Sequence, residues 1–190
     1  MGNKLNSMNT RLGDDGATEI GDRLRLAKNH ERVEAYGAID ELNCAIGMVV
    51  AKAGLPKAVF ECLLQVQREL VDLAGELYVP KRMVMASVHV ERLERELDAF
   101  NQPLQSLEES ILPGGGPMAA ACHFARAVAR RAERRTWTLV ELEEQITGSD
   151  KLLRSSQNTG VNPEILRYLN RLSDLLLAVA RTLARQERGS

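Results

Sequence analysis

The sequence predicts an all-α protein, a five-helix bundle preceded by an extended N-terminal loop. Of its 190 residues 44% are hydrophobic but only 4% aromatic, so the core must be built from Leu, Val, Ile, Ala and Met. That set favours helix over strand. Five segments repeat their apolar residues at a helical period, and no stretch alternates strongly enough to commit a sheet. The length suits one domain, residues 1–190, with a sizeable core.

The elements follow in order. Residues 1–30 are polar and punctuated by Gly13, Gly16 and Gly21 without a sustained period, and read as an extended loop. The first helix, about 33–53, places Ile39, Leu42, Ile46 and Val49 on one stripe. The second, about 57–78, opens after Pro56, suited to a first turn, and repeats Leu63, Val66, Leu70, Leu73 and Leu77. The third, about 87–100, is short and charged, with Ser87 as its cap. The fourth follows Gly114-Gly115-Gly116 and runs over about 117–144. Asn162 and Pro163, a cap and a first-turn proline, announce the fifth, which runs to about 187. Of the two long connectors, 101–117 and 147–161, the second is polar and glycine-bounded and is expected to be a mobile loop.

Composition removes several function classes. The net charge is -1 and the pI near 6.3, so no global field draws nucleic acid to the chain. Cys44, Cys62 and Cys122 form no CxxC or zinc-type spacing, which points to reduced thiols in the cytoplasm. No segment approaches the roughly 18 apolar residues that span a bilayer, so no membrane partner is expected.

One basic feature is local. FARAVARRAERR, residues 124–135, holds five arginines in twelve positions. At about 100° per residue, Met118, Ala121, Cys122, Ala125, Val128, Ala129, Ala132, Thr136, Leu139 and Val140 form an apolar face. His123, Arg126, Arg130, Glu133, Arg134 and Trp137 share a sector beside it, while Arg131 and Arg135 lie on the opposite flank, where a solvated pair belongs. Arg126, Arg130 and Arg134 stand one turn apart, and like charges at that spacing repel unless an anion intervenes. A solvated face, a nucleic-acid contact and a phosphate-bearing small molecule all remain open. The third fits best, because guanidinium forks recognise phosphate oxygens and no aromatic residues are interleaved for base stacking. Two further polar stripes flank packed faces: Tyr36, Asp40, Asn43 and Gly47 on the first helix, and Asn170, Asp174 and Arg181 on the fifth. Either cross-linking of helices or a site would account for them.

TRLGDDGAT (10–18), Lys28, RVEAYGAIDELNCAIG (32–47), ILPGGG (111–116), HFARAVARRAERR (123–135) and YLNRLSDLL (168–176) occur in that order. Together they resemble the PduO-type ATP:cob(I)alamin adenosyltransferases over nearly the whole chain. The resemblance implies a homotrimer with ATP bound between neighbouring subunits. It also implies a reaction in which cobalt(I) of a reduced corrinoid, cobalamin or a relative, attacks C5′ of ATP and releases triphosphate. Thr10, Arg11, Gly13, Thr18 and Lys28 would bind the phosphates from the N-terminal loop, residues 1–30. Arg130, Arg131 and Arg134 would bind ATP from the fourth helix, Glu133 would position the nucleotide or its Mg2+, and Asn170 would touch the nucleotide from the fifth. Asp40 would pair with Arg126 across the subunit boundary. No protein-held metal site is implied. Three positions depart from the family pattern: Leu12 replaces a hydroxyl in the phosphate loop, and Ser110 and Leu177 stand where aromatics line the corrinoid side. A nucleotide-binding homologue with weak or lost corrinoid turnover is therefore the alternative reading.

Overall fold

The computed structural model describes residues 11–21, 24–79, 82–104, 112–148 and 160–189. Five helices dominate: α1 (Glu31–Val50), α2 (Lys57–Tyr78), α3 (Ser87–Asn101), α4 (Pro117–Gly148) and α5 (Pro163–Gly189). The all-α expectation holds for the bundle, with one correction at the N-terminus. Residues read there as extended loop include a two-stranded antiparallel hairpin, β1 (Ala17–Ile20) and β2 (Leu24–Ala27), paired from Ala17 opposite Ala27 to Ile20 opposite Leu24. Each strand has only four residues, too few for alternation to register in the sequence.

The helices start and stop for local reasons. At the head of α1 the His30 side chain accepts from the Arg32 N–H at 3.1 Å, and Glu31 and Glu34 in the first turn oppose the positive end of the helix dipole. Asn162 caps α5 as the sequence foretold, accepting from the Glu164 N–H at 3.0 Å. Pro56 precedes α2 as its N-cap rather than entering the first turn. Ser87 is not the cap of α3, because Ala86 holds that position and the His89 side chain accepts from the Ala86 N–H at 3.1 Å. Helix α4 runs to Gly148 rather than 144, so the start of the expected 147–161 loop is helical and most of that loop lies outside the described residues.

Helix α1 packs between α2 and α4, and α5 between α4 and α3. The second-helix stripe Leu63, Val66, Leu70, Leu73 and Leu77 is buried throughout, each side chain contributing roughly 1.5–3 kcal/mol by leaving water. On α4 the small residues Ala119, Cys122, Ala125, Ala129 and Ala132 are fully buried, which lets α1 and α5 approach that helix closely. A polar hub closes the ring between α2, α3 and α5. Buried Glu69 takes Arg92 Nε at 2.7 Å and the Tyr168 hydroxyl at 2.7 Å. Burial pushes the Glu69 carboxyl up, but hydrogen bonds from Arg92, Tyr168 and Gln65 together with the Arg92 charge outweigh it, and the net shift is downward.

Two further buried groups tie helix ends together. Arg32 donates to the Leu77 carbonyl at 3.1 Å and pairs with Glu143 near the end of α4. Glu76 accepts from the Val84 and Met85 N–H groups and, through its other oxygen, from Asn162 at 3.0 Å.

Candidate functional site

Helix α4 shows the expected sectors. Ala125, Val128, Ala129, Ala132, Thr136 and Leu139 are buried, while Arg130, Arg134 and Trp137 are exposed. Glu133 stands among the arginines and accepts from Asn170 Nδ2 of α5 at 3.1 Å. Two residues nominated from separate motifs thus meet at the α4–α5 seam. Arg134 donates to the Arg130 carbonyl at 3.0 Å, which turns its guanidinium along its own helix rather than toward a carboxylate. Among the described residues neither Arg130 nor Arg134 has an ion pair within the chain.

Arg131 and Arg135 behave differently. They reach across the other seam to α1, Arg131 pairing with Glu41 and Arg135 with Glu34 at 3.7 Å. The structure therefore does not bring Arg131 together with Glu133 and Asn170. Arg126 is half-buried, and its Nε is buried with no acceptor. An unpaired buried donor costs roughly 1–3 kcal/mol. Beside it His123 is buried, and burial, followed by the Arg126 charge, pushes its pKa below the ordinary histidine value. Asp40 is exposed on α1 and lines a groove with Tyr36, Asn43, Ala74, Tyr78 and Arg82. It makes no pair with Arg126 inside one chain.

The loop before the hairpin is folded by its own backbone. Gly16 N–H donates to the Gly13 carbonyl at 3.2 Å, and Lys28 N–H closes the turn on the Gly16 carbonyl at 2.9 Å. Arg11 sits at φ 55, a left-handed conformation uncommon outside glycine. The Lys28 amine lies against Gly13, 2.9 Å from where a Cβ would stand, so two of the nominated phosphate contacts are adjacent. Thr18 is half-buried in β1 opposite Leu26. Asp15 went unassigned in the sequence, yet it organises this loop by accepting from the Ala17 N–H at 3.3 Å and pairing with Arg25. The Ala17 hydrogen bond, then Arg25, lowers its pKa. The repeated aspartates of GDDG were the available signal. Thr10 and Ser110 lie outside the described residues, and Leu177 is half-buried on α5, about two turns beyond Asn170.

Fold and site define a helical bundle with exposed arginines on α4 beside the Asn170–Glu133 contact to α5, and a glycine-containing turn against which a lysine lies. The cobalamin adenosyltransferase family model matches residues 8–183. A cobalamin adenosyltransferase of Cupriavidus metallidurans is 42% identical over 190 residues, covering 100% of this chain and 95% of that protein. A corrinoid adenosyltransferase of Mycobacterium leprae is 36% identical over 187 residues, covering 93% and 91%. Among solved structures, a variant PduO-type ATP:corrinoid adenosyltransferase from Lactobacillus reuteri, complexed with cobalamin and ATP, superposes with a TM-score of 0.78 at 30% identity and 96% coverage of both chains. The chain belongs to the cobalamin adenosyltransferase family. Among the described residues no group of three or more His, Cys, Asp or Glu is placed to hold a metal ion, and no helix is long and apolar enough to cross a membrane.

Proposed function

We propose that this chain, an ATP-dependent corrinoid adenosyltransferase by family, carries out the transfer at the α4–α5 seam, with the N-terminal loop folded over the triphosphate. The observation that supports this most directly is the pair of guanidinium groups, Arg130 and Arg134, which find no carboxylate among the described residues, beside the Asn170–Glu133 contact. An anion from outside the chain completes that charge distribution. Cobalt(I) is a strong nucleophile and needs no general base. Its electron pair forms the Co–C bond at C5′ of ATP as the C5′–O bond breaks, and the oxygen leaves with the triphosphate. The protein's work is to hold C5′ in line and to stabilise the departing charge. Arg130, Arg134 and Lys28 supply cationic donors for that purpose, with Arg11, Gly13 and Thr18 wrapping the phosphates.

Magnesium fits this arrangement. It is commonly held by one or two carboxylates together with substrate phosphates, and Glu133 is the one carboxylate in the arginine sector. When bound, the ion shares the triphosphate charge.

The orphaned Arg126 Nε and the exposed Asp40, unpaired among the described residues, support a homotrimer in which the two residues meet across the boundary. The free thiols of Cys44, Cys62 and Cys122 suit a cytoplasmic setting. The test is direct: protein, ATP, magnesium and chemically reduced cobalamin are mixed without oxygen and the cobalamin spectrum is followed. Adenosylcobalamin and triphosphate in equal amounts support the reading. ATP binding without a spectral change would favour the alternative, a nucleotide-binding homologue without corrinoid turnover.

A further inference from the structure

Helices α4 and α5 run antiparallel. Asn170 meets Glu133, the Cys122 thiol donates to the Leu176 carbonyl at 3.3 Å, and the Glu187 carboxylate accepts from the Met118 N–H at 2.9 Å and the Ala119 N–H at 3.1 Å. One turn past Glu133 on α4 therefore corresponds to one turn before Asn170 on α5. That register sets Trp137 level with Leu166, which is half-buried.

The arginine sector changes sign along its length. Arg126, Arg130 and Arg134 occupy its first part, and beyond them come Glu141 and Glu144, both exposed. Trp137 sits at the crossover. At about 100° per residue it falls between Glu133 and Arg130 around the helix, one turn beyond Arg134. Its indole is 48% exposed, and it is the one tryptophan of the chain. Phe124, the other exposed aromatic of α4, lies about 140° away around the helix.

A nucleoside triphosphate has the same polarity, with its charge at one end and a flat, uncharged base at the other. Laid along this sector, the triphosphate belongs beside Arg130 and Arg134 and is repelled by Glu141 and Glu144, so the base points toward Trp137. Trp137 stands seven residues after Arg130, about 10 Å along the axis, which leaves the sugar near Glu133 and Asn170. A single indole at the end of the stripe, rather than rings interleaved with the arginines, suits one base and not a strand.

We propose that Trp137 is the base platform of this site: its indole stacks on the adenine ring of ATP and fixes which way round the nucleotide lies along α4. This rests on the reading that the triphosphate binds Arg130 and Arg134.

The lone tryptophan serves as its own reporter. Intrinsic fluorescence of the full-length protein is followed during titration with ATP and magnesium and, separately, with inorganic tripolyphosphate and magnesium. Calorimetry gives both affinities for the unsubstituted protein, Trp137→Phe and Trp137→Ala. ATP is expected to quench the emission and tripolyphosphate to leave it unchanged. Trp137→Ala is expected to weaken ATP about tenfold, the scale of one base stacked on a ring, and tripolyphosphate less than about twofold. Trp137→Phe, which keeps a smaller ring, should fall between for ATP. Equal losses for the two ligands would overturn the proposal, because the substitution would then act through the helix as a whole. So would an emission that ATP leaves unchanged; a short-wavelength maximum without nucleotide would then mark an indole covered by a second copy instead. If neither ligand bound the unsubstituted protein, the functional reading itself would fail, and this proposal with it.

Discussion

Asn170 donates its side-chain amide to Glu133 across the α4–α5 seam at 3.1 Å, and the guanidinium groups of Arg130 and Arg134, neither ion-paired among the described residues, stand on the same sector of α4. A carboxylate already engaged by a neutral amide cannot neutralise two arginines, so the sector keeps net positive charge. Arg130→Ala is therefore expected to weaken ATP binding about 10- to 100-fold, the scale of one charge-assisted hydrogen bond. Arg135→Ala removes only an exposed 3.7 Å pair with Glu34 and should change it less than twofold. Calorimetric titration with ATP checks both, and similar losses would mean that the helix acts through bulk charge alone.

Arg126 keeps a buried Nε without an acceptor, and Asp40 is exposed with no ion pair among the described residues. If they meet across the boundary, removing either leaves the other uncompensated, and the double substitution Asp40→Ala with Arg126→Ala should cost less than the sum. Sedimentation analysis of the two single variants and the double would give the coupling. Strict additivity would separate the two residues.

The bundle was legible in the sequence where periodicity was long. The leucine stripe of α2, the arginine helix and the Asn162-Pro163 start of α5 all needed only local pattern. The hairpin was not legible, because strands of four residues are held by backbone pairing across a turn at Gly21, where φ is 50, and side-chain pattern carries little of that. Caps formed by a neighbour were equally hidden. His89 serves Ala86 in place of Ser87, and Glu187 reaches the head of α4 from 69 residues away in sequence. In the site, residue types announced the cationic sector. That Arg131 and Arg135 turn toward α1 while Glu133 meets α5 depended on the rotation of α4 between its two neighbours.

The Glu69 hub predicts a response to acid. Its pKa is lower folded than unfolded, so the ion contributes stability that is complete above the ordinary carboxylate range and lost as pH falls through the folded value. Glu69→Gln should lower stability at neutral pH by about 3 kcal/mol, because it leaves the half-buried Arg92 without its counterion. It should also flatten the acid limb of the profile. Denaturant unfolding between pH 3 and 7 reads both effects, and parallel profiles for the two proteins would remove Glu69 as the source.

The thiols should divide sharply. Burial pushes Cys62 and Cys122 up to about 12, whereas Cys44 is exposed on α1. At pH 8 one equivalent of iodoacetamide should enter the native protein, at Cys44, with the other two sites reacting only on unfolding. Peptide mapping after alkylation decides this; early labelling of Cys122 would show that the α4–α5 seam opens readily.

Helix α4 spans 32 residues, about 48 Å at 1.5 Å per residue, and it is fastened at both extremities by residues outside it. Arg32 grips Glu143 near one end and Glu187 grips Met118 and Ala119 at the other. A beam fixed at both ends can bow but cannot slide. Advancing α4 by a single residue would move it about 1.5 Å and break both attachments at once. Bending leaves each in place. Any motion that accompanies the binding of two bulky substrates must therefore come from curvature of this helix or from segments around it, while the spacing between Glu133 and the head of α4 stays constant, like graduations on a rule.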